Sequence, residues 1–534
     1  MHKWSLLCIA AVLAISSVGA CAAHPYLILH LDGVSSQDFF RELDAGRLPN
    51  IQRLFGEGGQ IRHAVSLYLG GTEIIYPRLK TGTSNAEGCS VGWGVLDREK
   101  GRVISGAQIL LGMLEHLPER SRGFFLYGVP GLHSLAALSL LNVPDILDTY
   151  GYAEVLWYGT DVQGHLFGPK AHRNLLHRSD QAIGRYLHQD ALENVNVILY
   201  ADHGMSFGEI ELVDLVAVVD QALGPDMEYY SYLNIYLACP EGLDAKAQAL
   251  VAAGVDFVFY RDGSRVVGRH PGGTVYLSAE DGLVRYAFSG SDPFGYYAAG
   301  YAGEAWSKEE WLEFSKELKF PALPPNVYNY LQNPYVGDLV ISLTPPKLLK
   351  SLAANRGNHA GLTATDLLVP VLFRGPDLEH LQGMDTMWLH ELYTTYAPVD
   401  FVFVPPRDQN SMALLGSSQG LQLVLKLSPA HEVRGSLEVQ GGHSAVLAAE
   451  FDLYSSFLSR LWLGAGARLA GEETSIFLQG TYELTLGRLA AASRFSYHLG
   501  PNRWETAHSI ACKLTGKLSA VWQVGQGIGF QLVW

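Results

Sequence analysis

Short apolar runs that end in polar residues and glycine recur in the first two thirds of the chain. Residues 26–31, 155–158 and 195–200 each have the pattern of a buried strand, and helical patterns lie between them, for example at residues 50–55 and 180–188. This alternation predicts an α/β fold with a mainly parallel sheet and helices on both faces. Because ligand sites in such sheets lie at the carboxyl ends of the strands, the polar residues after each run are candidates for a functional site.

The segment between residues 206 and about 345 has a mixed pattern and is rich in tyrosine and tryptophan. We predict that it forms a cap inserted near the site, within an α/β domain of residues 24–405. Most of its rings are expected to fill a core, because aromatic side chains bury large apolar areas.

The pattern changes after Pro405, where apolar residues begin to alternate with other residues. We predict an all-β domain of residues 410–534 with roughly eight or nine strands, each of about the length that is typical of a membrane β-barrel. Trp534, an aromatic residue at the end of the sequence, resembles the end of the closing strand of bacterial outer-membrane barrels. A soluble β-sandwich shows the same alternation, and we favour the barrel.

Residues 1–22 have the pattern of a secretory signal peptide, with Lys3 followed by an apolar run and then by small residues. The run is too short for a membrane-spanning helix. Ala20-Cys21-Ala22 fits a cleavage site, whereas residues 18–21 resemble a bacterial lipoprotein motif in which Cys21 carries the lipid; we favour simple cleavage. The signal predicts export to the periplasm or outer membrane of a diderm bacterium.

Composition narrows the possible partners of the chain. The net charge of -15 argues against a nucleic-acid partner, because a polyphosphate would be repelled. Outside the signal peptide, Cys89, Cys239 and Cys512 are far apart and odd in number. They predict neither a disulfide framework nor a thiolate metal site, and we expect all three to be small buried side chains.

Carboxylates and imidazoles occur together in turn-like contexts in four segments: Asp32 before Gly33, Asp161 with His165, Asp202 with His203, and His359 between two glycines. We expect Asp161 and His165 to lie on the turn after a strand, where Gly164 would permit a tight bend. Such ligands suit divalent cations, and two cations about 4 Å apart can activate a nucleophile and stabilise a leaving oxygen. Each motif alone is weak, because an Asp after a strand is usually a cap or turn residue.

Taken together, these motifs resemble the alkaline phosphatase superfamily, and more closely its type I phosphodiesterase/nucleotide pyrophosphatase branch. The resemblance spans about residues 25–405, and its most specific matches are at residues 31–33, 48–54, 161–169, 201–205 and 359–376. It implies a metal-dependent phosphoric ester hydrolase that acts on a small phosphate ester through a phosphothreonine intermediate. In this interpretation Thr72 is the nucleophile, and Thr81-Gly82 follows it at the family's distance of nine residues.

The resemblance also implies two Zn²⁺ ions, or another divalent metal in their place. One would be held by Asp32, Thr72, Asp202 and His203, and the other by Asp161, His165 and His359.

The segment around Thr72 departs from the family pattern. Glu73, Ile74 and Ile75 follow the threonine, so the family's proline and phosphate-contacting asparagine are missing at their usual places. Arg78 or Lys80 could supply a positive charge instead, or could be surface residues. Thr83 and Ser84 are rival nucleophiles by residue type, and we rank them below Thr72.

Several functions remain to be compared. A sulfatase is rejected because no Cys/Ser-x-Pro-x-Arg motif occurs, and a phosphoglycerate-mutase-like isomerase would need a serine nucleophile. The sequence does not distinguish phosphodiesterase activity from phosphomonoesterase activity. The alternative from another class is an outer-membrane-anchored binding or adhesion protein whose hydrolase domain is inactive.

Overall fold

The computed structural model describes residues 24–56, 58–88, 90–106, 108–109, 122–123, 137–187, 189–207, 211–350, 356–397, 399, 411–417, 420–430, 433–440, 444–455, 459–470, 473–499, 503–514, 518–524 and 527–533. The predicted signal peptide with Cys21, and also Cys89 and Trp534, lie outside the described residues.

Residues 24–399 form an α/β unit. Its strands are β1 (Tyr26–Leu31), β2 (Gly59–Val65), β3 (Val95–Asp97), β4 (Arg102–Ile104), β5 (Arg122–Gly123), β6 (Tyr152–Trp157), β7 (Asn196–Tyr200), β8 (Glu211–Val213), β9 (Met227–Ser231), β10 (Asn234–Leu237), β11 (Phe257–Asp262), β12 (Arg265–His270), β13 (Gly273–Glu280), β14 (Leu283–Gly290), β15 (Ala305–Trp306), β16 (Leu339–Ser342), β17 (Lys347–Leu349), β18 (Leu368–Arg374) and β19 (Thr386–Trp388).

The α-helices described in this unit have the bounds α1 (Ser36–Asp44), α2 (Pro49–Phe55), α3 (Thr72–Thr81), α4 (Val143–Tyr150), α5 (Gly159–Phe167), α6 (Pro169–Tyr186), α7 (Leu215–Leu223), α8 (Leu243–Ala252), α9 (Lys308–Ser315), α10 (Leu323–Gln332) and α11 (Ala364–Leu367). Among the described residues, none of the helices is both long enough and apolar enough to cross a lipid bilayer.

A seven-stranded sheet of order β19-β2-β18-β7-β1-β6-β5 forms the centre of this unit. β1 pairs in parallel with both β6 and β7, whereas β18 runs antiparallel to β7 and β2. All residues of β1, β6 and β7 are buried, as expected for strands that are covered on both faces. The predicted fold class is therefore confirmed.

β6 begins three residues before the predicted run because it contains a buried charge that the apolar pattern does not include. Glu154 has no exposed surface and its Oε2 accepts hydrogen bonds from Lys80 Nζ at 2.7 Å, Tyr152 Oη at 2.7 Å and Tyr76 Oη at 2.8 Å. Pairing with a lysine and two hydroxyls offsets the cost of burying this carboxylate.

An eight-stranded antiparallel sheet of order β15-β14-β13-β12-β11-β16-β10-β9 lies between β7 and β18 in the chain. It corresponds to the inserted cap region predicted from the mixed pattern. Tyr286, Tyr296 and Trp311 are fully buried and pack on one another, so most of the aromatic residues fill a core as expected, although Tyr297 is 38% exposed.

The C-terminal residues form a closed barrel of ten antiparallel strands. The strands are β20 (Ser411–Ser417), β21 (Gly420–Ala430), β22 (Val433–Gln440), β23 (Ser444–Ser455), β24 (Ser459–Ala470), β25 (Glu473–Leu486), β26 (Leu489–His498), β27 (Arg503–Lys513), β28 (Leu518–Gln523) and β29 (Gly527–Val533). β20 pairs with β29 and closes the barrel, so the sandwich alternative is excluded and the predicted eight or nine strands were too few.

The two faces of the barrel wall differ in polarity. Large apolar side chains point outward and are exposed, for example Ile476, Leu478 and Ile528. The inside carries buried ion pairs, in which Arg434 Nε lies 2.5 Å from Glu450 Oε2 and Arg434 Nη1 lies 2.6 Å from Glu483 Oε1. This is the reverse of a water-soluble protein, in which apolar side chains are buried and charges exposed.

The barrel contacts the α/β unit at the turn between β25 and β26. The buried Asn142 side chain donates to the Thr485 carbonyl at 2.8 Å and accepts from the Gly487 amide at 2.6 Å. Lys513 lies 3.2 Å from Asp145 beside this contact.

The expected burial of the cysteines is wrong for Cys239. This residue follows β10 in a surface turn and is exposed, while Cys512 in β27 is partly exposed, and both are free thiols.

Candidate metal centre

The residues predicted as ligands come from three adjacent strands and two further segments. Asp32 follows β1, Asp202 and His203 follow β7, and Asp161 and His165 lie on α5, which comes directly after β6. Since β7, β1 and β6 are neighbours in the sheet, their carboxyl ends bring these side chains to one edge.

Asp161 and His165 lie within a helix and not on a turn, so that prediction was wrong. The two residues are one helical turn apart on α5, and an i, i+4 spacing places both side chains on the same face of the helix. Gly164 is needed for packing: a Cβ at this position would lie 2.3 Å from Met205 Sδ.

The segment after β7 is held very close to its neighbours. A Cβ on Gly204 would lie 1.8 Å from the Thr365 carbonyl oxygen, so close backbone approach explains this glycine. Two backbone hydrogen bonds then join Ser206 to Asn358, and they bring the adjacent His359 beside His203. The two imidazole rings stack with their centroids 3.9 Å apart.

The donor atoms converge into two groups that share one residue. Single donor atoms of Asp161, His165 and His359 lie within 4.8 Å of one another, and the same holds for Asp32, Asp161 and His203. Asp202 joins the second group, with its Oδ2 at 3.6 Å from His203 Nε2. All seven residues singled out in the sequence, Thr72 included, therefore meet at one place.

The three imidazoles are oriented alike. Each ring donates from Nδ1 to a backbone carbonyl: His165 to that of Gly357 at 2.8 Å, His203 to that of Gly204 at 2.9 Å and His359 to that of Gly70 at 2.5 Å. A carbonyl can only accept, so each Nδ1 carries the donating proton and each neutral ring presents the lone pair of Nε2 to the site. Metal-binding histidines are typically oriented in this way.

Carboxylate oxygens face these lone pairs. His165 Nε2 lies 3.2 Å and His359 Nε2 lies 3.6 Å from Asp161 Oδ1, and His203 Nε2 lies 3.3 Å from Asp32 Oδ1. Asp161 Oδ1 and Asp202 Oδ2 are buried and receive no hydrogen bond. Such a cluster of acceptors fits bound cations, which would take up the unused lone pairs.

The pKa values in the cluster reflect the crowding of charge. Burial, together with the charges of Asp202 and Asp161, raises the pKa of Asp32 well above its usual range. Burial alone would also raise the pKa of Asp161, but His165 and His359 lower it to about 2. Burial and the charge of His203 lower the pKa of His359 to about 3, so this ring is neutral and ready to act as a ligand.

Thr72 is the first residue of α3, where the helix has its electropositive end. Its Oγ1 lies 3.3 Å from Asp32 Oδ1 and 3.4 Å from His203 Nε2. The nine-residue distance to Thr81-Gly82 is the length of this helix, which Gly82 ends with a φ of 70°. Thr83 and Ser84 follow Gly82, so they lie beyond the other end of α3, about 15 Å from the cluster.

Neither Arg78 nor Lys80 supplies a positive charge to the site. The Arg78 guanidinium donates to the carbonyls of Ile74 at 2.7 Å, Ser84 at 3.1 Å and Glu87 at 2.5 Å. Lys80 is buried against Glu154 on the far part of α3. Both side chains thus stabilise α3 and the loop that follows it.

His30 was not predicted as part of the site, although it contacts Asp202. It is fully buried, its Nε2 lies 3.1 Å from Asp202 Oδ1, and its ring stacks on Tyr200 at 4.6 Å. The Gly33 amide donates to the same oxygen at 3.3 Å, so Asp202 Oδ2 is left to face the site. The sequence contained one indication of this role. His30 precedes Asp32 by two residues, and side chains two residues apart along an extended segment lie on the same face.

If the cluster holds divalent cations, replacing His30 by leucine is expected to weaken their binding by about 10- to 100-fold, because Asp202 loses a group that orients it. His30→Gln, which can present an amide nitrogen near the same position, is the matched variant and should keep most of the affinity. Competition with a chromogenic chelator measures both. Equal affinity of His30→Leu and the wild type for the added cation would show that His30 only fills space.

Comparison with known proteins supports the family resemblance. Residues 122–291 match the family model described as type I phosphodiesterase / nucleotide pyrophosphatase, and this segment contains Asp161, His165, Asp202 and His203. The match confirms the resemblance noted from the motifs. No curated protein matches the chain.

Three solved structures are similar to the chain. Murine ectonucleotide pyrophosphatase / phosphodiesterase 5 has 15% identity and a TM-score of 0.45, over 70% of this chain and 93% of that one. The human protein of the same name has 15% identity and a TM-score of 0.45, over 69% and 93%. The alkaline phosphatase PafA has 12% identity and a TM-score of 0.43, over 70% and 95%.

Proposed function

We propose that the chain is an exported phosphoric ester hydrolase that holds two divalent cations and uses Thr72 as its nucleophile. The family match of residues 122–291 supports a phosphoester hydrolase. The observation that carries the finer proposal is the convergence of carboxylate oxygens with three Nε2 lone pairs beside the Thr72 hydroxyl.

The donor set fits zinc. Imidazole nitrogens with carboxylate oxygens are ligands that Zn²⁺ accepts readily, and other divalent metals accept them as well. Asp32, Thr72, Asp202 and His203 would hold one ion, and Asp161, His165 and His359 the other. When bound, the ions would lower the pKa of the Thr72 hydroxyl and neutralise charge on the phosphoryl oxygens.

The residues of the chain then account for a two-step hydrolysis. Thr72 Oγ1 attacks phosphorus, one ester oxygen leaves as the alcohol, and the phosphoryl group stays on Thr72. Water attacks this phosphothreonine, releases the second product and restores the hydroxyl. The N-terminus of α3 favours the negative charge that gathers beside Thr72 in both steps.

Rates on bis-nitrophenyl phosphate and mono-nitrophenyl phosphate test the proposed activity and compare a diester with a monoester. We expect turnover of at least one ester by protein that contains two metal ions per chain, about the number that a two-metal mechanism needs. Protein that binds both ions yet hydrolyses neither ester would contradict the proposal and favour the binding or adhesion protein.

We further infer that the barrel anchors the chain in the outer membrane of a diderm bacterium. Support comes from its outward apolar side chains and its inward ion pairs, since a barrel wall in lipid must be apolar outside. The barrel's contact through Asn142 would keep the α/β unit at one end of the barrel.

Membrane fractionation tests this location. The full chain is expected in the outer-membrane fraction and should need detergent for extraction, with a gel mobility that changes on heating. Arginine at the outward position Leu478 should destabilise the inserted barrel by about 2 to 4 kcal/mol if that residue lies near the bilayer centre. Complete recovery in buffer without detergent would rule out the anchor.

A further inference from the structure

The two ends of the barrel differ in what they carry. β20 begins at Ser411, on the side where the chain leaves the α/β unit, and because neighbouring strands are antiparallel, every second connection returns to this end. The contacts of Asn142 with the β25–β26 turn and of Asp145 with Lys513 lie at the same end. We call this the near end and the opposite one the far end. The α/β unit therefore lies at the near end.

The far end of the barrel carries only short connections between strands. Each has two to four residues, and they comprise residues 418–419, 441–443, 471–472, 499–502 and 524–526. With histidine neutral, Glu472 is the one charged residue among them. Outer-membrane barrels usually have longer loops outside the cell than in the periplasm. Here the near-end connections are equally short, so the position of the α/β unit, and not loop length, distinguishes the two ends.

Aromatic side chains lie on the outer wall of the barrel close to the far end. Tyr497 and Trp504 are paired in β26 and β27 with their ring centroids 5.0 Å apart, and Trp522 comes one residue before the end of β28. Trp504 is 69% exposed and Trp522 is 48% exposed. Tryptophan and tyrosine are enriched where a membrane meets water, because each ring has an apolar body and a polar group. These rings indicate that the far end reaches one surface of the membrane.

Side chains bridge the inside of the barrel. Arg494 of β26 bonds Glu438 of β22, four strands away in a ring of ten, with Nη2 at 3.2 Å from Oε2. Arg468 of β24 lies 2.8 Å from Glu505 of β27. The cavities that remain inside the wall measure about 80 and 120 Å³. A polypeptide could pass through only by separating these ion pairs, and breaking such a pair away from water is costly.

The α/β unit could therefore reach the cell exterior only by crossing the bilayer itself. The predicted signal peptide would release the chain in the periplasm, so the barrel would meet the outer membrane from the periplasmic side. Insertion with the far end leading moves only its short connections through the hydrocarbon layer. Insertion with the near end leading would move residues 24–399 through it, and charged groups are expensive in hydrocarbon.

We propose that the far end of the barrel faces the cell exterior and that the α/β unit faces the periplasm. This inference rests on the proposed membrane anchor but does not depend on the chemistry proposed at Thr72. Together with that chemistry, it assigns the substrate class to phosphate esters present in the periplasm. An ester outside the cell would have to enter the periplasm before it could be hydrolysed.

Thiol labelling of intact cells that contain the full chain tests this orientation. Leu499 in a far-end connection and Leu514 in a near-end connection are 53% and 49% exposed at opposite ends of β27, so Leu499→Cys and Leu514→Cys are a matched pair. Cys239 is an exposed native thiol of the α/β unit. A maleimide on a polymer too large to cross the outer membrane should label Leu499→Cys in intact cells. It should label Leu514→Cys and Cys239 only after the outer membrane is opened, as measured by mass spectrometry of the peptides.

Each other result contradicts the proposal. Labelling of Cys239 or Leu514→Cys in intact cells would overturn the orientation, provided that a soluble periplasmic protein in the same cells stays unlabelled. Leu499→Cys that reacts only after the membrane is opened would overturn it as well. Extraction of the chain without detergent would refute the anchor and the orientation together, whereas the hydrolase is judged separately by the nitrophenyl esters. Should a leucine variant fail to fold, Cys239 of the wild type decides, because protection in intact cells supports the periplasmic position and labelling excludes it.

Discussion

Thr72→Ala is expected to lower kcat by about 10³- to 10⁶-fold, the range seen when a catalytic nucleophile is removed. The Thr72 hydroxyl lies within 3.4 Å of both Asp32 and His203, and alanine has no atom that can form a bond to phosphorus. The measurement is kcat on the better of the two nitrophenyl esters. Thr72→Ser keeps a hydroxyl at the start of α3 and should retain much more activity.

Two controls make this result specific to the nucleophile. Metal content and the circular dichroism spectrum of Thr72→Ala should show that the protein is folded and loaded. Acid quenching during turnover, followed by mass spectrometry, should find the phosphoryl group on the peptide that contains residue 72 in the wild type. Activity of Thr72→Ala within tenfold of the wild type would remove Thr72 from the mechanism.

Removal of the metal ions should abolish turnover, with a loss of about 10³-fold or more. Without cations, nothing neutralises the charge that develops on the phosphoryl group, and the Thr72 hydroxyl keeps its ordinary pKa. Dialysis against a chelator followed by addition of Zn²⁺ measures the loss and its recovery. Thermal unfolding should also occur at a lower temperature in the stripped protein, because ions that bind only the folded state stabilise it.

Substitution of a single proposed ligand tests whether the second ion is bound. His359→Ala should lose metal, because Asp161 and His165 alone are a poor site for the second ion. His63→Ala is the matched control, since His63 is not one of the proposed ligands and its Nδ1 lies 2.9 Å from Asp385 Oδ1. Full metal content in His359→Ala, or full activity after chelation, would contradict the two-metal proposal.

Much of the site could be predicted because its residues follow recognisable local patterns. Buried strands are read from apolar runs, and β1 and β7 lie where such runs predict them. The parallel arrangement follows from alternation with helices, and it places Asp32, Asp202 and His203 at one edge without any knowledge of distant contacts. The alternating pattern after Pro405 likewise predicted a barrel, because one residue in two must face each side of its wall.

Other features depended on contacts between distant parts of the chain. Glu154 breaks the apolar pattern of β6, and only the packing of Lys80 beside it explains why it is buried. Gly164 suggested a turn, but its neighbour Met205 comes from another loop and requires glycine within a helix. The number of barrel strands was also underestimated, because closure depends on the pairing of β20 with β29 at opposite ends of the domain.

The same distinction applies to the chemistry of the site. Residue types and their local contexts singled out the candidate ligands, and the family resemblance added Thr72, because a metal centre needs particular donor atoms wherever they come from. Only the folded chain shows that Asp161 is shared by two groups of donors, that His30 lies behind Asp202, and that the Arg78 guanidinium bonds backbone carbonyls. These relations join residues far apart in sequence or set the direction of a side chain, and local patterns contain neither kind of information.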